Sequence, residues 1–169
     1  MIQVYTGTGK GKTTAALGLI LRMVGAGKKA CLIQFMKKEA TSEIKALQKF
    51  KKQVALFQFG QKNFVFKNKA SEADKKEAEK GLKKAWGVLE SKKYDLIVLD
   101  EINIAVYFGL VKKEDILNLL KKWGSKTEIV LTGRKAPEEF IKIADLVSEI
   151  KEIKHPYKRG MKARRGIDY

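Results

Sequence analysis

The chain has 169 residues, 44% apolar and 33% charged with two prolines, a composition that excludes disordered and fibrous classes. No apolar run approaches the roughly 18 residues of a membrane span, and a single cysteine and a single histidine exclude a disulfide framework and a His-rich metal site. The net charge of +17 attracts polyanions such as nucleotides, nucleic acid or an acidic protein, yet only Arg22, Arg134, Arg159, Arg164 and Arg165 are arginines, the residue suited to bidentate phosphate and base reading.

Ile2–Thr6 reads as a strand and Lys12–Val24 as a helix apolar nearly all round, hence buried, stopped by Gly25 and Gly27. Lys29–Phe35 reads as a second strand holding Cys31 as a small buried thiol, Ser42–Phe50 as a short helix, and Gln53–Phe59 as a third strand. Gly60–Lys69 is irregular and basic with interleaved Phe64 and Phe66, the pattern of a functional loop. Ser71–Glu90 opens with Ser71 and Asp74 in capping-box spacing. Its Ala78, Leu82, Ala85, Trp86 and Leu89 share one helical face, with Glu72/Lys76 and Glu79/Lys83 as i,i+4 pairs on the others.

Tyr94–Leu99 reads as a fourth, central strand and Lys113–Trp123 as a helix closed by Gly124. Thr127–Thr132 follows as a fifth strand, Pro137–Ala144 as a helix with proline at its start, and Leu146–Ile153 as a sixth strand. Alternation of this kind, with strands too apolar for one wet face, predicts an α/β fold. It is a mostly parallel sheet of about six strands with helices on both faces, in one domain over residues 1–169. Residues 154–169 form a basic C-terminal segment. Met1 leads directly into a strand with no visible signal peptide, so the expected location is the cytoplasm.

In such sheets ligands sit beyond the carboxyl ends of the strands. Between the first strand and the first helix lies Gly7-Thr8-Gly9-Lys10-Gly11-Lys12-Thr13-Thr14, the setting required of a phosphate-binding loop. Its glycines let successive N–H groups face one anion at a positive helix end. Lys12 can reach terminal phosphates and the Thr13 hydroxyl can ligate Mg²⁺. The usual first glycine is replaced by Thr6. Asp100 and Glu101, at the end of the apolar run YDLIVLDE (Tyr94–Glu101), supply hard oxygen ligands suited to Mg²⁺. Arg22 lies in an apolar helix and reads as paired with a phosphate or carboxylate, or as reaching along the surface. His155, beside Pro156 with no second nitrogen ligand, reads as packing a C-terminal turn.

With these residues the sequence resembles the P-loop ATP:corrinoid adenosyltransferases. The matching stretches are TGTGKGKTTAALG (Thr6–Gly18), Ile33-Gln34-Phe35, VLDEIN (Val98–Asn103), LTGR (Leu131–Arg134), KHPY (Lys154–Tyr157) and ARRGIDY (Ala163–Tyr169). The resemblance implies a homodimeric RecA-like enzyme that transfers the 5′-deoxyadenosyl group of ATP to Co(I) of cobalamin or a precursor, with triphosphate leaving. It implies nucleotide binding by Gly7 to Thr14 and Arg22, and catalysis by Lys12, Thr13 and Glu101. Mg²⁺ would be held by Thr13, Asp100 and Glu101, and the corrinoid by Phe64 and Phe66, whose aromatic rings displace the lower axial ligand of cob(II)alamin. A flavodoxin-like electron donor is the expected partner for the basic surface. Two other functions remain open at this point. A nucleic-acid-binding P-loop ATPase would release orthophosphate, and a small-molecule kinase would release ADP.

Overall fold

A computed structural model describes residues 1–39, 41–61 and 70–168. Six strands form one sheet: β1 (Ile2–Thr6), β2 (Ala30–Phe35), β3 (Val54–Phe59), β4 (Leu96–Asp100), β5 (Glu128–Thr132) and β6 (Leu146–Glu149). Their order is β3-β2-β4-β5-β1-β6, and every pairing is parallel. Parallel neighbours require crossovers, which the helices provide. These are α1 (Lys12–Gly25), α2 (Ser42–Leu47), α3 (Glu72–Ser91), α4 (Ile102–Tyr107), α5 (Lys113–Trp123) and α6 (Glu138–Ile143).

Alternation along each strand divides the apolar residues between two cores. Val4, Ile33, Phe35, Ile97, Leu99, Ile129 and Leu131 pack with α3, α5 and α6 through Ala85, Leu89, Ile116, Leu119 and Phe140. Leu32, Leu96, Val98 and Val130 pack on the opposite face with Ala16, Ile20, Ile44 and Leu47 of α1 and α2. β2 and β4 are buried at every position. The strand at the β6 edge is exposed at every position.

The sequence-based expectations hold for the alternation and for the start of α3. There Asp74 N donates to Ser71 Oγ at 3.2 Å and Ser71 N donates to Asp74 Oδ2 at 2.9 Å. Four details differ. α1 is buried only at Lys12, Ala16 and Ile20, and Leu21 is 51% exposed, because the sheet covers one side of the helix and no described element covers the other. The helix-surface charges of α3 pair at i,i+3, as Glu72–Lys75 and Glu77–Lys80, rather than at i,i+4. The expected helix over Ser42–Phe50 tightens into a 3₁₀ turn at Gln48–Phe50. β6 stops at Glu149, because the chain beyond it turns onto the phosphate loop, with Ile150 N donating to Thr6 O at 2.9 Å and Gly9 N to Ile150 O at 2.7 Å.

Candidate active site

The carboxyl ends of β1, β2, β4 and β5 converge on one cavity of about 760 Å³. Its floor is the loop Thr8–Thr14, its walls are Leu17, Lys37, Glu43, Glu101 and Arg134, and its roof is the C-terminal segment from His155 to Asp168. The loop can approach its backing only through small residues. Gly7 has φ 100, and a Cβ there would lie 2.4 Å from the Ile150 carbonyl oxygen. Any side chain at this position would push the loop off the chain that follows β6.

Lys12 folds back on its own loop, its ammonium donating to Gly7 O at 2.9 Å and Gly9 O at 2.6 Å. Burial lowers its pKa, partly offset by the Glu101 carboxylate. These two carbonyls hold the charge where an anion would take it. Lys10, at the exposed rim, donates to Ile167 O at 2.7 Å and pairs with the Asp168 carboxylate. Hydrogen bonds from Lys10 and the Arg164 backbone draw the Asp168 carboxyl down to about 2. The roof is thus fastened to the loop by charge.

Asp100 does not line the cavity. It is fully buried behind Thr13 and accepts four hydrogen bonds. Thr13 Oγ1 donates at 2.8 Å and Thr132 Oγ1 at 2.6 Å to Oδ1, and Gln34 Nε2 at 2.8 Å and Lys37 Nζ at 2.9 Å to Oδ2. Burial alone would raise this carboxyl, but Lys37, Thr132 and Thr13 outweigh it and hold it below the ordinary range. Because the Thr13 proton points to Asp100, the oxygen's lone pairs are left for a cation. Glu101 behaves oppositely: burial first, and then the neighbouring Asp100 charge, raise its carboxyl. It sits at φ 61, a left-handed conformation costly for a side-chain-bearing residue, and its N–H donates to Thr132 Oγ1 at 3.0 Å.

The described residues contain no group of three or more His, Cys, Asp or Glu that could hold a metal by themselves. One carboxylate at the cavity wall and one hydroxyl are instead the hard oxygen set from which Mg²⁺ takes one or two ligands, leaving the rest to phosphates and water. The residues fit a metal carried in with a nucleotide.

Of the sequence-predicted residues, the structure brings together Thr8, Gly9, Lys10, Gly11, Lys12, Thr13, Thr14 and Glu101 around the cavity, with Gly7 beneath. Arg22 stands apart. It is exposed in the last turn of α1, roughly 15 Å along the helix axis from Lys12, and it does not line the cavity. Phe64 and Phe66 lie outside the described residues. His155 caps the 3₁₀ turn Pro156–Arg159 as expected, its Nδ1 accepting from Tyr157 N at 3.2 Å. Lys37 was hidden in the Lys37-Lys38 pair of a lysine-rich surface, and only its position after a strand end marked it. Tyr157 and Ile167 on the roof belong to the KHPY and ARRGIDY stretches, whose family resemblance points to a segment folded over the active site or a dimer partner, whereas Met161 between them had no signal.

The family model described as ATP:corrinoid adenosyltransferase BtuR/CobO/CobP matches residues 1–169. A corrinoid adenosyltransferase from Sinorhizobium sp is 36% identical over 171 residues, covering 100% of this chain and 80% of that one. A corrinoid adenosyltransferase from Escherichia coli K12 is 32% identical over 169 residues, covering 100% and 85%. Among solved structures, a KaiC-like protein from Pyrococcus horikoshii OT3 superposes with a TM-score of 0.60 over 90% of this chain and 74% of its own, at 20% identity. That likeness concerns the fold alone.

Proposed function

The chain belongs to the ATP:corrinoid adenosyltransferase BtuR/CobO/CobP family, and on that premise we propose how its own residues carry out the transfer of the 5′-deoxyadenosyl group from ATP to a corrinoid. The observation that supports the assignment of roles is a cavity whose floor is the phosphate loop and whose lining carries the positive charge that a triphosphate needs. The loop Thr8–Thr14 lines it together with Lys37, Arg134 and Arg164, and its sole histidine is engaged as a turn cap. When cobalt is the nucleophile at C5′, the protein needs no general base. Its task is to hold the carbon in line and stabilise the departing triphosphate.

In this reading Lys12 leaves Gly7 O and Gly9 O to meet the phosphates, and Thr13 and Glu101 would hold a Mg²⁺ ion, which would supply positive charge to the leaving group. Asp100 orients Thr13 from behind rather than touching the metal. The roof residues Pro156 to Ile167 exclude water from the nucleotide. Phe64 and Phe66 hold the corrinoid on the strength of the sequence resemblance. An acidic flavodoxin-like donor meets the basic surface, and the active species is a homodimer in the cytoplasm. Arg22, the phosphate contact that the resemblance implies, is exposed and does not line this cavity. The matches lend no support to a nucleic-acid ATPase.

The test is anaerobic incubation with Mg·ATP and chemically reduced cob(I)alamin. Light-sensitive adenosylcobalamin with stoichiometric triphosphate is the expected result, and orthophosphate without a cobalt–carbon product would overturn the reading. Phe66→Ala should impair turnover from cob(II)alamin with a reductant more than turnover from cob(I)alamin. Equal losses in the two assays would remove its axial-ligand role.

A further inference from the structure

The end of β2 places a cation beside the buried carboxylate of the site. Met36 takes φ 57, so the chain turns back immediately after the strand. The turn is held from the side of β3, where Lys37 N donates to Phe59 O at 3.3 Å. A Cβ on Gly60 would lie 2.6 Å from Lys37 N and 2.7 Å from the Met36 carbonyl carbon, both backbone atoms. The Lys37 backbone is thereby clamped, and its Nζ reaches Asp100 Oδ2 at 2.9 Å.

A carboxylate offers about four acceptor positions, and donors from four residues occupy those of Asp100. Gln34 and Thr132 are fully buried in strands, and Thr13 belongs to the phosphate loop. Lys37 differs from all three in carrying charge, and from Gln34 and Thr132 in lining the cavity, with a side chain that is 29% exposed. It is the donor that can leave without breaking the sheet. A buried carboxylate without a counter-charge is costly, so Lys37, the cation hydrogen-bonded to Asp100, is needed while no metal ion stands at Thr13. With a divalent cation at Thr13 and Glu101, that need disappears and the two cations repel. The phosphates bound in the same cavity attract the released ammonium.

We propose that Lys37 is a positioning residue that exchanges partners, holding Asp100 when the site is empty and moving to the triphosphate when the metal–nucleotide complex is bound. The exchange keeps the Asp100–Glu101 pair neutralised in both states and adds one cation to the leaving group only once the substrate is in place. It rests on the reading of Thr13 and Glu101 as the metal side of the site.

Binding of Mn²⁺ without nucleotide, followed by electron paramagnetic resonance in the full chain, tests the first half. Lys37→Gln should bind Mn²⁺ at least tenfold more tightly than the unsubstituted chain, and Lys37→Arg should restore the weaker binding. Inorganic triphosphate with Mn²⁺ tests the second half. Its affinity should fall at least tenfold in Lys37→Gln and be retained in Lys37→Arg, while adenosine binding stays constant. Should the glutamine variant fold poorly, the ¹⁵Nζ resonance of Lys37 in the unsubstituted protein serves instead. It should shift on adding Mg²⁺ with triphosphate and not on adding adenosine. Equal Mn²⁺ affinity with and without Lys37, or a resonance that does not move, would overturn the exchange. An unsubstituted chain that binds no Mn²⁺ with triphosphate would overturn the metal reading beneath it.

Discussion

Lys12 spends the empty state bound to two carbonyls of its own loop, so the loop keeps its curvature before any phosphate arrives. Replacing it with alanine removes both that brace and a cation on the leaving group. Turnover of Lys12→Ala with cob(I)alamin should fall by about 10²–10³-fold, read as the rate of triphosphate release. Glu101 illustrates the opposite balance, in which a site residue costs stability. Its carboxyl is raised chiefly by burial, so the folded protein binds this proton more tightly than the unfolded chain does. The resulting stabilisation is present at low pH and is lost as pH rises from roughly 4.3, the ordinary glutamate value, through the raised one. Glu101→Gln should therefore melt higher at neutral pH in the absence of ligand, by roughly 2–4 °C for each kcal/mol relieved, while losing turnover. A melting temperature unchanged between the two proteins across pH 4–8 would contradict that account.

At the scale of the element, legibility followed the strength of the local signal. The Ser71–Asp74 box and the face through Ala78, Ala85 and Leu89 identified α3 almost to the residue. Ser71→Ala should cost about 1 kcal/mol, visible in thermal denaturation. α4 gave no such signal. Ile102–Tyr107 is rich in β-formers, and burial of Ile102, Asn103 and Ala105 against the sheet made it a helix. The outer side of α1 was misread for a related reason: apolarity along a sequence does not say whether anything lies over it. The phosphate loop was legible because glycine spacing encodes its chemistry locally. Lys37 was not, since it reaches the site through a left-handed turn at Met36, and the C-terminal roof was legible only through the family resemblance of KHPY and ARRGIDY, which points to a segment folded over the active site or a dimer partner. Asp100 was found by its motif, but its place behind Thr13 depends on Gln34 and Thr132 from neighbouring strands, a relation only the sheet creates.

Across the whole molecule, the charge of +17 is far larger than the site requires. If it guides an acidic electron donor, donor-coupled reduction should slow steeply as ionic strength rises, while turnover of prepared cob(I)alamin changes much less. A reduction rate indifferent to salt would assign the charge to ATP capture and solubility alone. The sheet order carries a different consequence, one for the newborn chain. β2 meets β3 and β4 soon after they are made, whereas β1 has for neighbours only β5 and β6, with Ile2 opposite Ile129 and Gln3 opposite Leu146. Contacts so distant in sequence form slowly. The loop that follows β1 therefore waits through the synthesis of β2, β3 and β4 for the strands that flank it. A nascent chain can build the β3-β2-β4 half of its sheet long before it can hold a nucleotide, and competence to bind arrives late and all at once.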